Sequence, residues 1–352
     1  MDVVVRSIPI GSRKIGPGHP CFVIAEAGVN HNGNLGMALD LVRAAAAASV
    51  DAVKFQLFRA EEQISGAAST AEYQESHTGS TSMLEMADSY ELPWEAHREI
   101  VACCQELGIH YTASCFDARA VDFYLELGGA AIKVGSGEIT NLPLLEHMAR
   151  TGVPILLSTG MSTLEEVDEA VSCVRRNGCT DYALFHCVSN YPTAPEHVNL
   201  DVIETLRRAY GVPVGFSDHT ESRSVAAGAV ALGASLVEKH FTLDRALPGP
   251  DHAMSLDPQE LSDFVRDLRQ VEVARGDGVK RLQPGEAEVQ RVARRSIVSA
   301  RAIERGKVVS EGDLCLKRPA TGVEPSLVSR VVGRKAKVDI SADVPIQWDM
   351  FE

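Results

Sequence analysis

The sequence holds no Cys-x-x-Cys pair, no Gly-x-Ser-x-Gly elbow and, after its first apolar run, no Gly-x-Gly-x-x-Gly turn. The first absence matters because there are eight cysteines. Cys103 and Cys104 are adjacent, Cys115 and Cys187 fall inside apolar runs, and the set reads as buried thiols in a reducing compartment, not a disulfide framework. The other two absences argue against a hydrolase nucleophile on a strand-turn-helix and against a dinucleotide fingerprint. Aromatics make up only 5% of residues, so the interior must be filled by Val, Ile, Leu and Ala, as barrel interiors are. No apolar run reaches the length of a membrane span. The opening Met1-Asp-Val-Val-Val-Arg-Ser lacks the basic and apolar regions of a signal peptide, which gives the expectation of a cytoplasmic protein without membrane contact. Positive charge is scarce, 34 Lys and Arg against 48 Asp and Glu, and the net charge of −14 argues against nucleic acid as a partner.

What is present is a repeated unit. After a possible hairpin in residues 1–20 (Val3–Ile8 and Lys14-Ile15 around Gly11), apolar, β-branched runs end in small, polar or charged residues and give way to helical patterns. The runs are Cys21–Gly28, Ala52–Phe58, His110–Phe116, Ala131–Gly137, Pro154–Gly160, Tyr182–Ser189, Pro213–His219 and Leu236–Thr242. Eight βα units predict an α/β fold, a TIM (β/α)8 barrel over 21–270. Ser162-Thr-Leu-Glu165 resembles a capping box, and Asn141-Leu-Pro143 a helix start. Between the second and third runs lies a polar insertion, residues 59–92. It is a candidate lid or substrate contact, because long loops after barrel strands lie over the mouth; a tolerated surface insertion is the alternative. Residues 271–293 read as linker, and 294–352, with alternating short apolar runs and Gly, Pro and Asp turns, as a small β-rich domain.

Strand ends in such a barrel converge on one face. Val214-Gly-Phe-Ser-Asp-His219 and Val237-Glu-Lys-His240 end consecutive units, so His219 and His240 would share one cavity, beside Asp218 and Glu238, as a divalent-metal site. The alternative is that each imidazole bonds a neighbour at its own strand end. The other ends offer Glu26 followed by Asn30-His-Asn32, then Lys54 and Gln56, Ser114, Lys133 with Ser136, Ser158 with Thr159, His186 with Ser189, and Ser217. A lysine inside an apolar strand is not there for packing, because burying it unpaired costs several kcal/mol. Lys54 and Lys133 therefore predict an anion, with hydroxyls and backbone N–H groups supplying geometry.

These residues carry a resemblance. Ile24-Ala-Glu-Ala-Gly-Val-Asn-His-Asn-Gly33, Lys54-Phe-Gln56, Lys133-Val-Gly-Ser-Gly-Glu138, Leu157-Ser-Thr-Gly-Met161, Gly215-Phe-Ser-Asp-His219, Glu238-Lys-His-Phe-Thr242 and Pro248-Gly-Pro-Asp-His252 resemble the sialic acid synthase family. The end of the chain, with Leu316-Lys-Arg-Pro319, resembles that family's antifreeze-like (SAF, β-clip) domain. The resemblance implies condensation of phosphoenolpyruvate with an N-acetylated amino-sugar aldehyde and water, giving a nonulosonic acid and phosphate. The sugar would be N-acetylmannosamine, giving N-acetylneuraminate, or 2,4-diacetamido-2,4,6-trideoxymannose, giving legionaminate. Pseudaminate synthesis, or another metal-dependent barrel aldolase or hydrolase, is the alternative. It further implies His219 and His240 as ligands of manganese, with magnesium or cobalt as substitutes. Lys54, Ser114, Lys133, Ser136, Ser158, Ser189 and Ser217 would contact phosphoenolpyruvate, and Glu26, Gln56, Tyr191, Glu238 and Asp251 the sugar. Glu26 would handle protons, and Arg318 would reach the N-acyl group in trans within a domain-swapped homodimer. Ser189 stands where some members have asparagine, and Ala320 where a glycine is usual, which puts the turn carrying Arg318 in question.

Overall fold

The computed structural model describes residues 4–352, with the side chains of Glu72 and Tyr73 also left undescribed. The chain forms two compact units that divide after Gly276.

In the first unit the chain opens with an antiparallel pair, β1 (Ile8–Ile10) and β2 (Arg13–Ile15), turning at Gly11. The first arm begins at Ile8, later than expected, and Val3 lies outside the described residues. Ile8, Ile10 and Ile15 pack against Phe22, Ile24, Ala52, Leu156 and Leu236 of the barrel strands. Each buried isoleucine contributes about 1.5–3 kcal/mol, enough to hold so short a hairpin as a plug.

Eight parallel strands then close a barrel, with the last pairing to the first. They are β3 (Phe22–Gly28), β4 (Ala52–Leu57), β5 (His110–Cys115), β6 (Ile132–Val134), β7 (Ile155–Ser158), β8 (Tyr182–Cys187), β9 (Val214–Asp218) and β10 (Leu236–His240). Each lies inside one of the apolar runs. The fourth is shorter than its run because Ser136–Glu138 turns into a 3-10 helix after Gly135. Closure sets Glu26 beside His240 on one side and beside Lys54 on the other. Helices follow the strands; their apolar stripes, for example Val167, Ala170, Val171 and Val174, join one large aliphatic core with the strands' outward residues. The capping box falls one residue later than expected, on Thr163 and Glu166, while the Ser162 hydroxyl donates to Gly160 O. No helix among the described residues is long and apolar enough to cross a membrane.

The last helix of this unit, Pro258–Arg275, runs past residue 270, where the barrel domain was expected to end. Its buried Leu261, Phe264, Val265 and Leu268 and the Arg269–Asp51 ion pair hold it to the barrel, so the chain breaks at Gly276 instead. Part of the expected linker is likewise ordered, as the helix Glu286–Ala293.

The second unit pairs β11 (Ser296–Ser299) with β12 (Leu314–Lys317), antiparallel, over a small core that includes Ile297, Val309, Ile340 and Ile346. Arg318 follows β12 directly. Ala320 has no positive φ, and its N–H donates to Arg291 O at 2.7 Å, so this turn does not need a glycine at that position.

Candidate active site

The side chains that alternate inward at the C-terminal strand ends line one cavity of about 520 Å3. It brings together every barrel residue singled out from the sequence as catalytic or substrate-binding: Glu26, Lys54, Gln56, Ser114, Lys133, Ser136, Ser158, Ser189, Tyr191, Ser217, His219, Glu238, His240 and Asp251. Arg318 belongs to the second unit.

At the centre is a buried charge cluster. Lys54 Nζ donates to Glu238 Oε1 at 2.8 Å and lies 3.3 Å from Glu26 Oε2. Ser217 Oγ donates to the same Glu238 oxygen at 3.1 Å. Lys133 Nζ is only 3.6 Å from Glu238; its short hydrogen bond goes to a neutral hydroxyl, Ser158 Oγ, at 2.7 Å. Lys133 is 2% exposed, so it is a cation in a low-dielectric site whose charge is half-answered. Its electrostatics follow. Burial draws the Lys133 ammonium down to about 8, against the pull of Glu238. Burial pushes Glu26 up to about 8, against Lys54. Burial also opposes ionisation of Glu238, but Lys133 and Lys54 outweigh it and hold its carboxyl at about 2. One carboxylate thus serves two lysines, and the other carboxyl is kept protonated at neutral pH.

Beside Lys133 the hydroxyls cluster around Gly160. Its N–H donates to Ser136 Oγ at 3.0 Å, and a Cβ there would fall 2.3 Å from Ser189 Oγ and 2.7 Å from Ser136 Oγ. Gly28, with φ of 52°, is bordered by Glu26, Gln56 and Asp251.

The two imidazoles share the cavity, with ring centroids 5.5 Å apart and the Tyr191 ring centroid 4.2 Å from that of His219. His219 Nδ1–H donates to Val188 O at 2.8 Å, which fixes the tautomer and leaves Nε2 with a free lone pair. His240 Nδ1 is buried without a hydrogen-bond partner, 3.9 Å from Asp251 Oδ2. Burial, with the nearby His219 and Lys54, holds His240 well below the usual imidazole range. Burial raises Asp251 to about 6. Burial opposes the charged form of His219, but Cys187, with the hydrogen bond to Val188 O, outweighs it and shifts His219 upward. The neutral His240, with its orphaned ring nitrogen, and the Nε2 of His219 fit a divalent cation when His219 is deprotonated. Among the described residues no group of three or more His, Cys, Asp or Glu is arranged to hold one, so oxygen ligands from substrate or water would complete the shell.

Not every strand-end residue enters the cavity. Asp218 points outward to Lys239. His186 turns away to Val198 O and packs on Phe216. Asn30 bonds Phe241 O and Ser255 Oγ, and Asn32 bonds His252, tying the first loop to the last. The insertion after β4, conversely, does reach the site. Its helices Glu72–Thr78 and Met83–Tyr90 bring Gln74, Met83, Met86 and Tyr90 to the cavity wall, which also includes Val29, Phe58 and Phe116. The sequence marked the insertion but not these apolar contacts.

Fold and site together define an α/β barrel whose strand ends gather two buried lysines, a row of hydroxyls and a pair of imidazoles in one cavity. Residues 41–280 match the NeuB family and residues 294–352 the SAF domain; the chain belongs to the NeuB family. It is 41% identical over 97% of its length to the N,N'-diacetyllegionaminic acid synthase of Legionella pneumophila, of which 98% is covered. It is equally 41% identical to the synthase of the same name from Campylobacter jejuni, over 92% of this chain and 97% of that protein. The crystal structure of an N-acetylneuraminic acid synthetase from Leptospira borgpetersenii in complex with citrate matches with a TM-score of 0.73 at 33% identity, covering 82% of this chain and 96% of that one.

Proposed function

We propose that this chain condenses phosphoenolpyruvate with an unphosphorylated 2,4-diacetamido-2,4,6-trideoxy sugar aldehyde and water, giving a legionaminate-type nonulosonic acid and phosphate. The observation that carries the reading is Lys133, a buried cation short of one anionic partner, next to a hydroxyl cluster and to Lys54. The choice of sugar is supported by two relatives named for that product and by the wall of Met83, Met86, Phe58 and Phe116. Such a surface accepts a methyl group and acetamido methyls. Among the described lining residues the only lysines are Lys54 and Lys133, both deep, and no arginine is present, so the barrel wall offers a sugar phosphate no cation at the mouth.

Lys54 and Lys133 bind the carboxylate and phosphate, while Ser114, Ser136, Ser158, Ser189 and Ser217 and the backbone around Gly160 orient them. C3 of phosphoenolpyruvate adds to the aldehyde carbon, and the aldehyde oxygen takes a proton, for which Glu26 is the donor since it stays protonated below about pH 8. Water then adds to C2, losing a proton, and the tetrahedral centre expels phosphate to leave the 2-keto acid. His219 and His240 would hold manganese, or magnesium or cobalt, which supplies Lewis-acid polarisation of the aldehyde when bound. Gln56, Tyr191, Glu238 and Asp251 surround the sugar, and Arg318 reaches its N-acyl group across a domain-swapped homodimer.

The test is phosphate release from phosphoenolpyruvate with manganese, run in parallel with the diacetamido sugar, N-acetylmannosamine, its 6-phosphate and no sugar. Release with the diacetamido sugar, abolished by chelator, is expected; release with none of the sugars from folded, metal-loaded protein overturns the reading.

Two outcomes follow from the cradle. In the free protein, raising the pH through about 8 discharges Lys133 and ionises Glu26; the first removes a positive charge and the second adds a negative one, so both weaken the hold on an anion. The value of kcat/KM for phosphoenolpyruvate is therefore expected to fall above pH 8, by about tenfold per pH unit for each group; a flat profile to pH 9.5 contradicts this. Gly160→Ala, which drives a methyl into Ser189 and Ser136, is expected to raise KM for phosphoenolpyruvate at least about tenfold, or 1.4 kcal/mol. Thermal denaturation run beside the kinetics separates that effect from unfolding.

A further inference from the structure

One fully buried ion pair near the site has no part in the chemistry above. Lys239 Nζ lies 3.0 Å from Asp218 Oδ2, with side chains 2% and 0% exposed, and Lys239 also donates to Thr220 O. The second carboxylate oxygen accepts from Thr220 N at 2.8 Å. Because alternate residues of a strand face opposite ways, Asp218 and Lys239 point out of the barrel while Ser217, His219, Glu238 and His240 point in.

Their placement is specific. Asp218 and Lys239 are register partners, the last pair of the β9–β10 ladder. His219 comes just after β9 ends, and His240 is the final residue of β10. No further ladder bond between these strands fixes the two imidazoles. The His219 ring bonds Val188 O and the His219 carbonyl accepts from Thr193 N, both on the β8 side. What ties His219 to β10 is the side chain of the residue before it and the carbonyl of the residue after it, both bonded to Lys239, the neighbour of His240. A buried ion pair is weak as a source of stability, since apolar residues of similar volume are often as good. Its geometric strength is that it ties three backbone positions around two functional rings to one ammonium.

We propose that Asp218 and Lys239 are positioning residues that set the spacing of the His219 and His240 rings for the divalent metal. The inference rests on the reading of those histidines as metal ligands. Partners of metal-ligating residues typically change metal affinity about 10–100-fold when removed.

The experiment is Mn2+ titration of chelator-stripped full-length protein, read by electron paramagnetic resonance of free Mn2+, with no substrate present. The wild type is compared with two double variants, D218N/K239Q, which keeps hydrogen-bonding groups, and D218L/K239M, which fills the volume with apolar atoms. Circular dichroism melting confirms folding, and phosphoenolpyruvate affinity without metal reports on the cradle. The expected result is a Kd for Mn2+ raised about 10–100-fold in a folded variant with phosphoenolpyruvate affinity unchanged. A folded double variant that binds Mn2+ like the wild type overturns the inference alone. Unfolding of both variants assigns the pair to the fold and overturns it as well. A wild type that binds no Mn2+, or binds it equally after His219→Ala, overturns the metal reading and this inference together.

Discussion

Replacing Lys133 with methionine is expected to lower kcat/KM for phosphoenolpyruvate by roughly 10³-fold, the scale found when a preorganised charge-stabilising donor is lost. The physical reason is the incomplete pairing of this ammonium. Lys54 is answered by Glu238 at 2.8 Å and Glu26 at 3.3 Å, whereas Lys133 has Ser158 and a more distant share of Glu238. An anion arriving at Lys133 gains a strong interaction and disturbs no tight ion pair. At Lys54 it must compete with the Glu238 carboxylate and the neighbouring Glu26 carboxyl. Methionine preserves much of the volume and leaves Glu238 with Lys54 and Ser217 as partners, so the variant is expected to fold. Retention of more than a tenth of wild-type kcat/KM in a folded variant would falsify the placement of the anion at Lys133.

The second large effect is expected at His240. His240→Ala removes a ring that burial keeps neutral and whose Nδ1 has no partner. Little stabilisation is lost with it, since an unsatisfied buried polar atom is a cost to the fold. The melting temperature is therefore expected to hold or rise, while manganese-dependent turnover falls by several orders of magnitude. That opposition, stability retained and activity lost, separates a functional imidazole from one that simply bonds a neighbour. A melting temperature that drops in step with activity would return His240 to a structural role.

Much of this site is legible in the sequence because a barrel converts linear spacing into convergence. Each apolar run ends in polar residues, and the closed ring brings those ends to one cavity. What was harder to see has definite causes. Asp218, read beside the metal pair, faces outward; strict alternation from Ser217 and His219 already placed it on the other face. His186 turns away in the same manner, two residues after Leu184. The apolar wall was hidden because Met83 and Met86, three apart, look like any helix stripe packed on a core. Here the thing they cover is partly a cavity, and only tertiary placement of the insertion reveals that. The end of the barrel domain was misplaced because a helix's last turn is polar wherever it meets solvent, so composition shifted before the helix did.

Ring closure has one more consequence. The contact between Glu26 and His240 joins the first and last barrel strands, and the charge cluster draws on residues from positions 26, 54, 133 and 238. During synthesis a chain that has emerged only as far as the seventh strand carries both lysines but neither Glu238 nor His240. No fragment of the barrel holds a working half of this site. The chemistry appears in a single event, when the ring shuts, and a chain caught before that moment exposes unmatched charges instead of a weakened catalyst.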